Sequence, residues 1–170
     1  MTSEIKSSVL RQIRWSILGA VVLVGIDGVV SGSFMISILV CPIWFLVALI
    51  KEAIFRKKSR ILAVKIAIPI LTFVALYGNA SMQSAVAREN AKIIIEACNN
   101  YLKVTGGYPK ALEDLIPYQL DSVPRAKYAL TLSEFMYWER DGRHWLMWVD
   151  IPPFVRPYYI FEEAKWGYLD

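Results

Sequence analysis

The stretch Ile61–Val104 constrains this chain more than any other. Its first part, Ile61–Tyr77 (ILAVKIAIPILTFVALY), is an apolar run whose only charge is Lys65. Its second part keeps a single apolar face, with Val86, Ala87, Asn90, Ala91, Ile94, Ala97, Cys98, Tyr101 and Leu102 recurring at spacings of three and four. That is the period of a helix burying one side. The stretch therefore predicts a membrane span running into an amphipathic helix. The helix is expected to stop at Thr105-Gly106-Gly107, because Gly adopts the left-handed cap conformation, and Pro109 blocks its resumption.

Two more apolar stretches precede it, Trp15–Val30 and Phe34–Ile50, joined by Ser31-Gly32-Ser33. A span takes about 20 residues, with a lower limit of roughly 17, and each stretch lies near that limit. The expectation is three transmembrane helices at about residues 12–31, 33–50 and 61–79, the first two forming a tight antiparallel hairpin. A cleaved signal peptide is the competing reading of Trp15–Val30. It requires polar mature sequence downstream, and a second apolar stretch begins there instead.

Charge sets the expected topology. Residues 1–79 carry nine Lys/Arg against three Asp/Glu, whereas residues 80–170 carry ten against twelve. Five of the cations fall in Lys51–Arg60 (KEAIFRKKSR). Basic loops stay in the cytoplasm, so the N-terminus and this loop belong there, and residues 80–170 lie outside. In a diderm bacterium that is the periplasm, and the bilayer is the inner membrane. The basic excess serves the membrane half, so a pI near 9.1 carries no nucleic-acid reading. Arg56-Lys57-Lys58 has the character of a lipid or cytoplasmic-partner patch, but topology alone explains it. Asp27 and Lys65 are intramembrane charges, which are functional candidates by default. Each is near a span end and is expected to snorkel to the interface. Pro42 and Pro69 are expected to bend their helices.

Beyond Gly107 the pattern changes. Ala111–Ile116 reads as a short helical turn before Pro117. Phe135–Arg140 and Arg143–Asp150 flank Asp141-Gly142, the two-residue signature of a type I′ hairpin. This turn pairs Trp138 with Trp145, Met136 with Met147, Tyr137 with Leu146, and Phe135 with Trp148. Ile151–Pro157 contains three prolines and is expected to be irregular or an edge. Tyr158–Phe161 and Lys165–Leu169 read as a second hairpin around Glu162–Ala164. The fold class is α+β: three transmembrane helices, then a long helix packed on a small antiparallel sheet of about four strands in residues 80–170.

Ala91–Pro124 (AKIIIEACNNYLKVTGGYPKALEDLIPYQLDSVP) resembles the globular domain of type II secretion pseudopilins and related pilin-like proteins. Tyr101, Gly107, Tyr108, Pro109, Leu112, Asp114, Leu115, Pro117, Leu120, Val123 and Pro124 match their motif. The resemblance covers Gln83–Asp170 and implies a long helix on a small antiparallel sheet. The chain departs from the family further upstream. Gly32 is followed by Ser33-Phe34-Met35-Ile36-Ser37, with no Glu at the fifth place, and Ile61–Tyr77 contains no acid. Some family members bind calcium within the sheet; Asp150 and Asp170 are available acids, but their spacing maps no ligand set.

No catalytic constellation is visible. The two cysteines, Cys41 and Cys98, stand alone and His144 is the only histidine, which leaves no zinc set. His144 is predicted to lie opposite Glu139, without a third member or a nucleophile. Glu113-Asp114 suits a helix dipole better than acid–base work. The chain is therefore expected to be no enzyme and to bind no cofactor or metal. The aromatic hairpin has the composition of a protein-binding hot spot. Phe135, Tyr137, Trp138, Trp145 and Trp148 are the candidate partner-binding residues. The expected partners are the lipid bilayer and a periplasmic protein, such as a secretion or pilus assembly component, and a homo-oligomer stays open. The alternative is a membrane-anchored immunity or inhibitor protein neutralising a toxin that acts in the periplasm.

Overall fold

The computed structural model describes residues 2–55, 62–151 and 155–169, with side chains from Ile13 onward except at 52, 53, 55 and 62. The basic patch Arg56-Lys57-Lys58 and the candidate acid Asp170 lie outside the described residues. The chain divides into two compact units, Met1–Ala80 and Ser81–Asp170.

In the first unit, helix α1 (Thr2–Leu23) continues into a π-helical turn, Val24–Ser31. Gly32, at φ 59°, ends it in the left-handed conformation. Helix α2 (Ser37–Phe55) then runs back, with Gly19 of α1 against the Trp44 ring and Leu23 clustered with Cys41. Helix α3 (Leu62–Thr105) adds Leu76, Phe73 and Tyr77, whose rings meet Phe34 edge-on. Pro42 and Pro69 both stay inside continuous helices.

Two of the three expected spans reach the length that a crossing requires. Ile13–Ser31 and the helix from Ala63 are long and apolar enough to cross a membrane, while the apolar stretch Ser37–Lys51 is shorter. The shortening has a local cause. The residues Phe34–Ile36, apolar by composition, belong to the turn, because Asp27 fixes the start of α2 at Ser37. Its carboxylate accepts hydrogen bonds from Ser37 N (2.7 Å), Ser37 Oγ (2.6 Å) and Ile36 N (3.3 Å). Asp27 is 1% exposed. It does not snorkel; it caps a helix whose first N–H groups have no partner of their own. Lys65 is half-buried.

In the second unit α3 ends where glycine was expected to end it: Gly106, at φ 83°, donates its N–H to Leu102 O. A 3₁₀ turn follows at Leu112–Leu115, its entrance held by Asp114, which accepts from Lys110 N and Ala111 N. Four strands then form an antiparallel meander in sequential order: β1 (Met136–Arg140), β2 (Arg143–Met147), β3 (Arg156–Ile160) and β4 (Lys165–Leu169). Asp141 and Gly142 both take positive φ, 53° and 71°, as a type I′ turn demands. The register is the one this turn dictates, Trp138 with Trp145 and Met136 with Met147. Strand β3 begins earlier than expected and takes in Pro157, although it is an interior strand. Proline fits because it stands at the strand's start, past the end of β2, and offers its carbonyl to Trp148 N. The residues 152–154 of the proline segment lie outside the described ones.

Candidate partner-binding face

Alternation along the strands divides the sheet into two faces. On one, Leu146, Trp148, Tyr159 and Phe161 are buried against Ala87, Ala91, Ile94 and Cys98 of α3, with Phe135 and Tyr137 packed alongside. Small residues on α3 let the helix approach closely enough for these rings to fill the space. Tyr137 also donates its hydroxyl to Pro109 O. Burial pushes its ionisation well above the ordinary tyrosine value, which suits a neutral donor.

The five candidate residues therefore separate. Trp148 belongs to the core, and Phe135 and Tyr137, half-buried, pack against it on the helix side of the sheet. Trp138 and Trp145 stand on the opposite face, half-buried and stacked, with ring centroids 6.2 Å apart and planes 7° from parallel. Trp145 in turn meets Tyr158 of β3 at 5.0 Å. The Tyr158 ring lies over Gly167 of β4, where a Cβ would collide with its Cζ. Only glycine leaves that space, and the ring covers the backbone the glycine exposes. One row of aromatic contacts thus crosses all four strands.

Register places Arg140, Arg143, Arg156 and Lys165 on the same face. Arg143 pairs with Glu163 at 3.1 Å and Arg140 approaches Asp141 at 3.6 Å. Such exposed pairs contribute little to stability. Sequence reading missed Tyr158, Arg156 and Gly167. The Asp-Gly turn announces the β1–β2 register, but no tight-turn signal links β2 to β3. Parity could not be assigned across the proline segment.

The hairpin's other face ends in a polar cluster. His144 is opposite Glu139, as expected, with Nε2 3.9 Å from its carboxylate. Its closer partner is Glu162 of the β3–β4 turn: Nδ1 is 2.7 Å from Oε1, and the His144 N–H donates to Oε2 at 2.8 Å. Tyr108 packs against the imidazole at 5.0 Å. Burial raises the Glu162 carboxyl, but the hydrogen bonds from the His144 ring and amide outweigh it and hold it below the ordinary range. A depressed carboxyl stabilises the fold above its unfolded value and loses that contribution as pH falls through the folded one. The native chain is thus expected to lose denaturant resistance below about pH 4.5, the ordinary value. Glu162→Gln should show less of this decline than the native chain, as read from denaturation midpoints on either side of that pH. Equal declines would show that Glu162 is not linked to folding.

A concavity of about 390 Å³ lies between α3 and β4 and is lined by Arg88, Glu89, Lys92, Trp148, Trp166 and Tyr168. Arg88 closes it with a hydrogen bond to Tyr168 Oη at 3.1 Å. It carries both signs of charge and no nucleophile–base pair. Among the described residues no three of His, Cys, Asp or Glu converge as metal ligands. No family model, curated protein or solved structure matches this chain.

Proposed function

We propose that this chain is a non-enzymatic membrane protein whose C-terminal unit binds another protein through the outer face of its sheet. The observation that carries the reading is the row Trp138–Trp145–Tyr158, laid across four strands and bordered by Arg140, Arg143, Arg156 and Lys165. Rigid aromatic side chains beside arginine are the composition of binding hot spots, and the cationic border fits an acidic surface on the partner.

The membrane setting rests on the first unit. Trp15, Leu18, Val21, Ile43, Leu46 and Leu71 stand exposed there among many other large apolar residues, a surface that water does not tolerate in a monomer. The α1–α2 hairpin turns the chain back along α1, since Gly19 meets Trp44 and Leu23 clusters with Cys41. We therefore read α2 as a short third crossing, accommodated by local thinning of the bilayer. With basic segments inside, the C-terminal unit then faces the periplasm across a bacterial inner membrane. The pilin-like helix end, Gly107-Tyr108-Pro109, followed by a helix-covered sheet, supports a secretion or pilus assembly component as the partner.

Photo-crosslinking from position 138 of the full chain in native membranes, followed by mass spectrometry, identifies the partner. Trp138→Ala is then expected to weaken its binding by about 2 kcal/mol, roughly thirtyfold. Tyr118→Ala, at an exposed site off the sheet, should leave it unchanged. Equal affinities for Trp138→Ala and the native chain would overturn the reading.

A further inference from the structure

The segment Arg125–Ser133 contains a second exposed apolar group, distinct from the sheet face. Its base is closed by Ala126 N donating to Ser133 O at 2.8 Å. Its course along α3 is fixed at two points. Asn90 Nδ2 donates to Arg125 O at 2.8 Å; seven residues earlier in the helix, Gln83 clasps Tyr128, accepting from its N–H (2.9 Å) and donating to its carbonyl (3.2 Å). Lys127 is buried between them, its ammonium on Asp150 O, and Ser84 Oγ donates to the Asp150 carboxylate at 2.5 Å. Burial lowers the affinity of Lys127 for its proton, while nearby Asp150 opposes that shift. The segment therefore descends α3 by about 10 Å, at 1.5 Å per residue, towards the helix's N-terminal end. At the bottom it presents Tyr128 (71% exposed), Leu130 (74%) and Leu132 (46%).

Counting along α3 gives the level of that tip. A hydrocarbon core of about 30 Å takes about 20 helical residues. Counted from Leu62, these are used up just before Gln83. Met82, beside it, is 72% exposed. Tyrosine is enriched at this boundary, and leucine side chains gain from burial in the acyl region.

We propose that the Tyr128–Leu132 tip inserts into the headgroup–acyl boundary of the bilayer. The inference rests on the membrane reading above. The tip itself carries no cation, so insertion is apolar and does not need anionic lipid.

The test uses the full chain in phosphatidylcholine vesicles, with Cys41→Ala and Cys98→Ala removing the native thiols. An environment-sensitive fluorophore is attached through Leu130→Cys, Leu71→Cys or Val104→Cys, all exposed positions. The label at 130 is expected to be blue-shifted and quenched by lipids spin-labelled near the headgroup. At 71 quenching should come from lipids labelled deep in the chain, and at 104 neither should act. A label at 130 that behaves like the one at 104, while 71 stays quenched, overturns the insertion and leaves the membrane reading standing. An unquenched label at 71 overturns both.

Discussion

Trp148→Ala is expected to cost the C-terminal unit about 3–5 kcal/mol, the range for deleting a large aromatic from a close-packed core. Trp148 is 1% exposed and lies edge-on to both Phe135 (5.6 Å) and Trp166 (6.0 Å), so it joins the residue that leads into β1 to β4. It also belongs to the cluster beneath α3 that includes Ala87 and Ile94. A domain's whole stability is about 5–15 kcal/mol, so the variant should unfold over a large part of the denaturant range in which the native chain is folded. Trp148→Phe supplies the control. Among the described residues the indole Nε1 is buried without a partner, and leaving such a donor unmet costs about 1–3 kcal/mol. Phenylalanine removes that burden along with some volume and should cost clearly less than alanine. Both effects are read from the chemical denaturation midpoint; an alanine variant as stable as the native chain would contradict the packing described.

Asp27→Ala should loosen the α1–α2 hairpin by about 2–3 kcal/mol. The carboxylate accepts from Ile36 N, Ser37 N and Ser37 Oγ, and hydrogen bonds to a charged group contribute about 1.5–3 kcal/mol each. An N-terminal cap alone contributes about 0.5–2 kcal/mol. In hydrocarbon no water replaces a lost acceptor, so the freed N–H groups stay unmet. Local opening of the hairpin exposes Cys41, which is buried. Its modification by a thiol reagent in micelles should therefore run about thirty- to over a hundredfold faster than in the native chain. Asp27→Asn keeps one acceptor oxygen and should fall between. Unchanged labelling of Cys41 in Asp27→Ala would show that the hairpin does not depend on this cap.

These two residues also mark where sequence was legible and where it was not. Periodicity gave α3 and its buried stripe, glycine gave the end of α3, and Asp-Gly gave the β1–β2 register, because each signal is local and follows from backbone sterics. Trp148 looked like part of a recognition surface because composition reports aromatic content without saying which face of a strand meets the helix. That choice depends on packing against Ala87, Ala91 and Cys98, residues 50 to 61 positions away in the chain. Asp27 looked like a charge near a span end because its partner lies ten residues on, across a turn with no recognised motif. Tyr158 stayed hidden for a related reason. Its face is set by pairing with Met147 and Gly167, and nothing between residues 149 and 157 announces that register.

The meander's sequential order has a consequence in time. Every strand pairs with its neighbour in the chain, and the whole sheet follows α3. During synthesis the stripe around Ile94 therefore emerges 67 residues before Phe161, the last large side chain of the core that covers it. At about 5–20 residues per second, that stripe is without its cover for about 3–13 s. The growing chain thus passes through a period in which an apolar helix face needs a temporary partner, and the β1–β2 hairpin, closed by its two-residue turn, is the first part of the sheet able to shorten it.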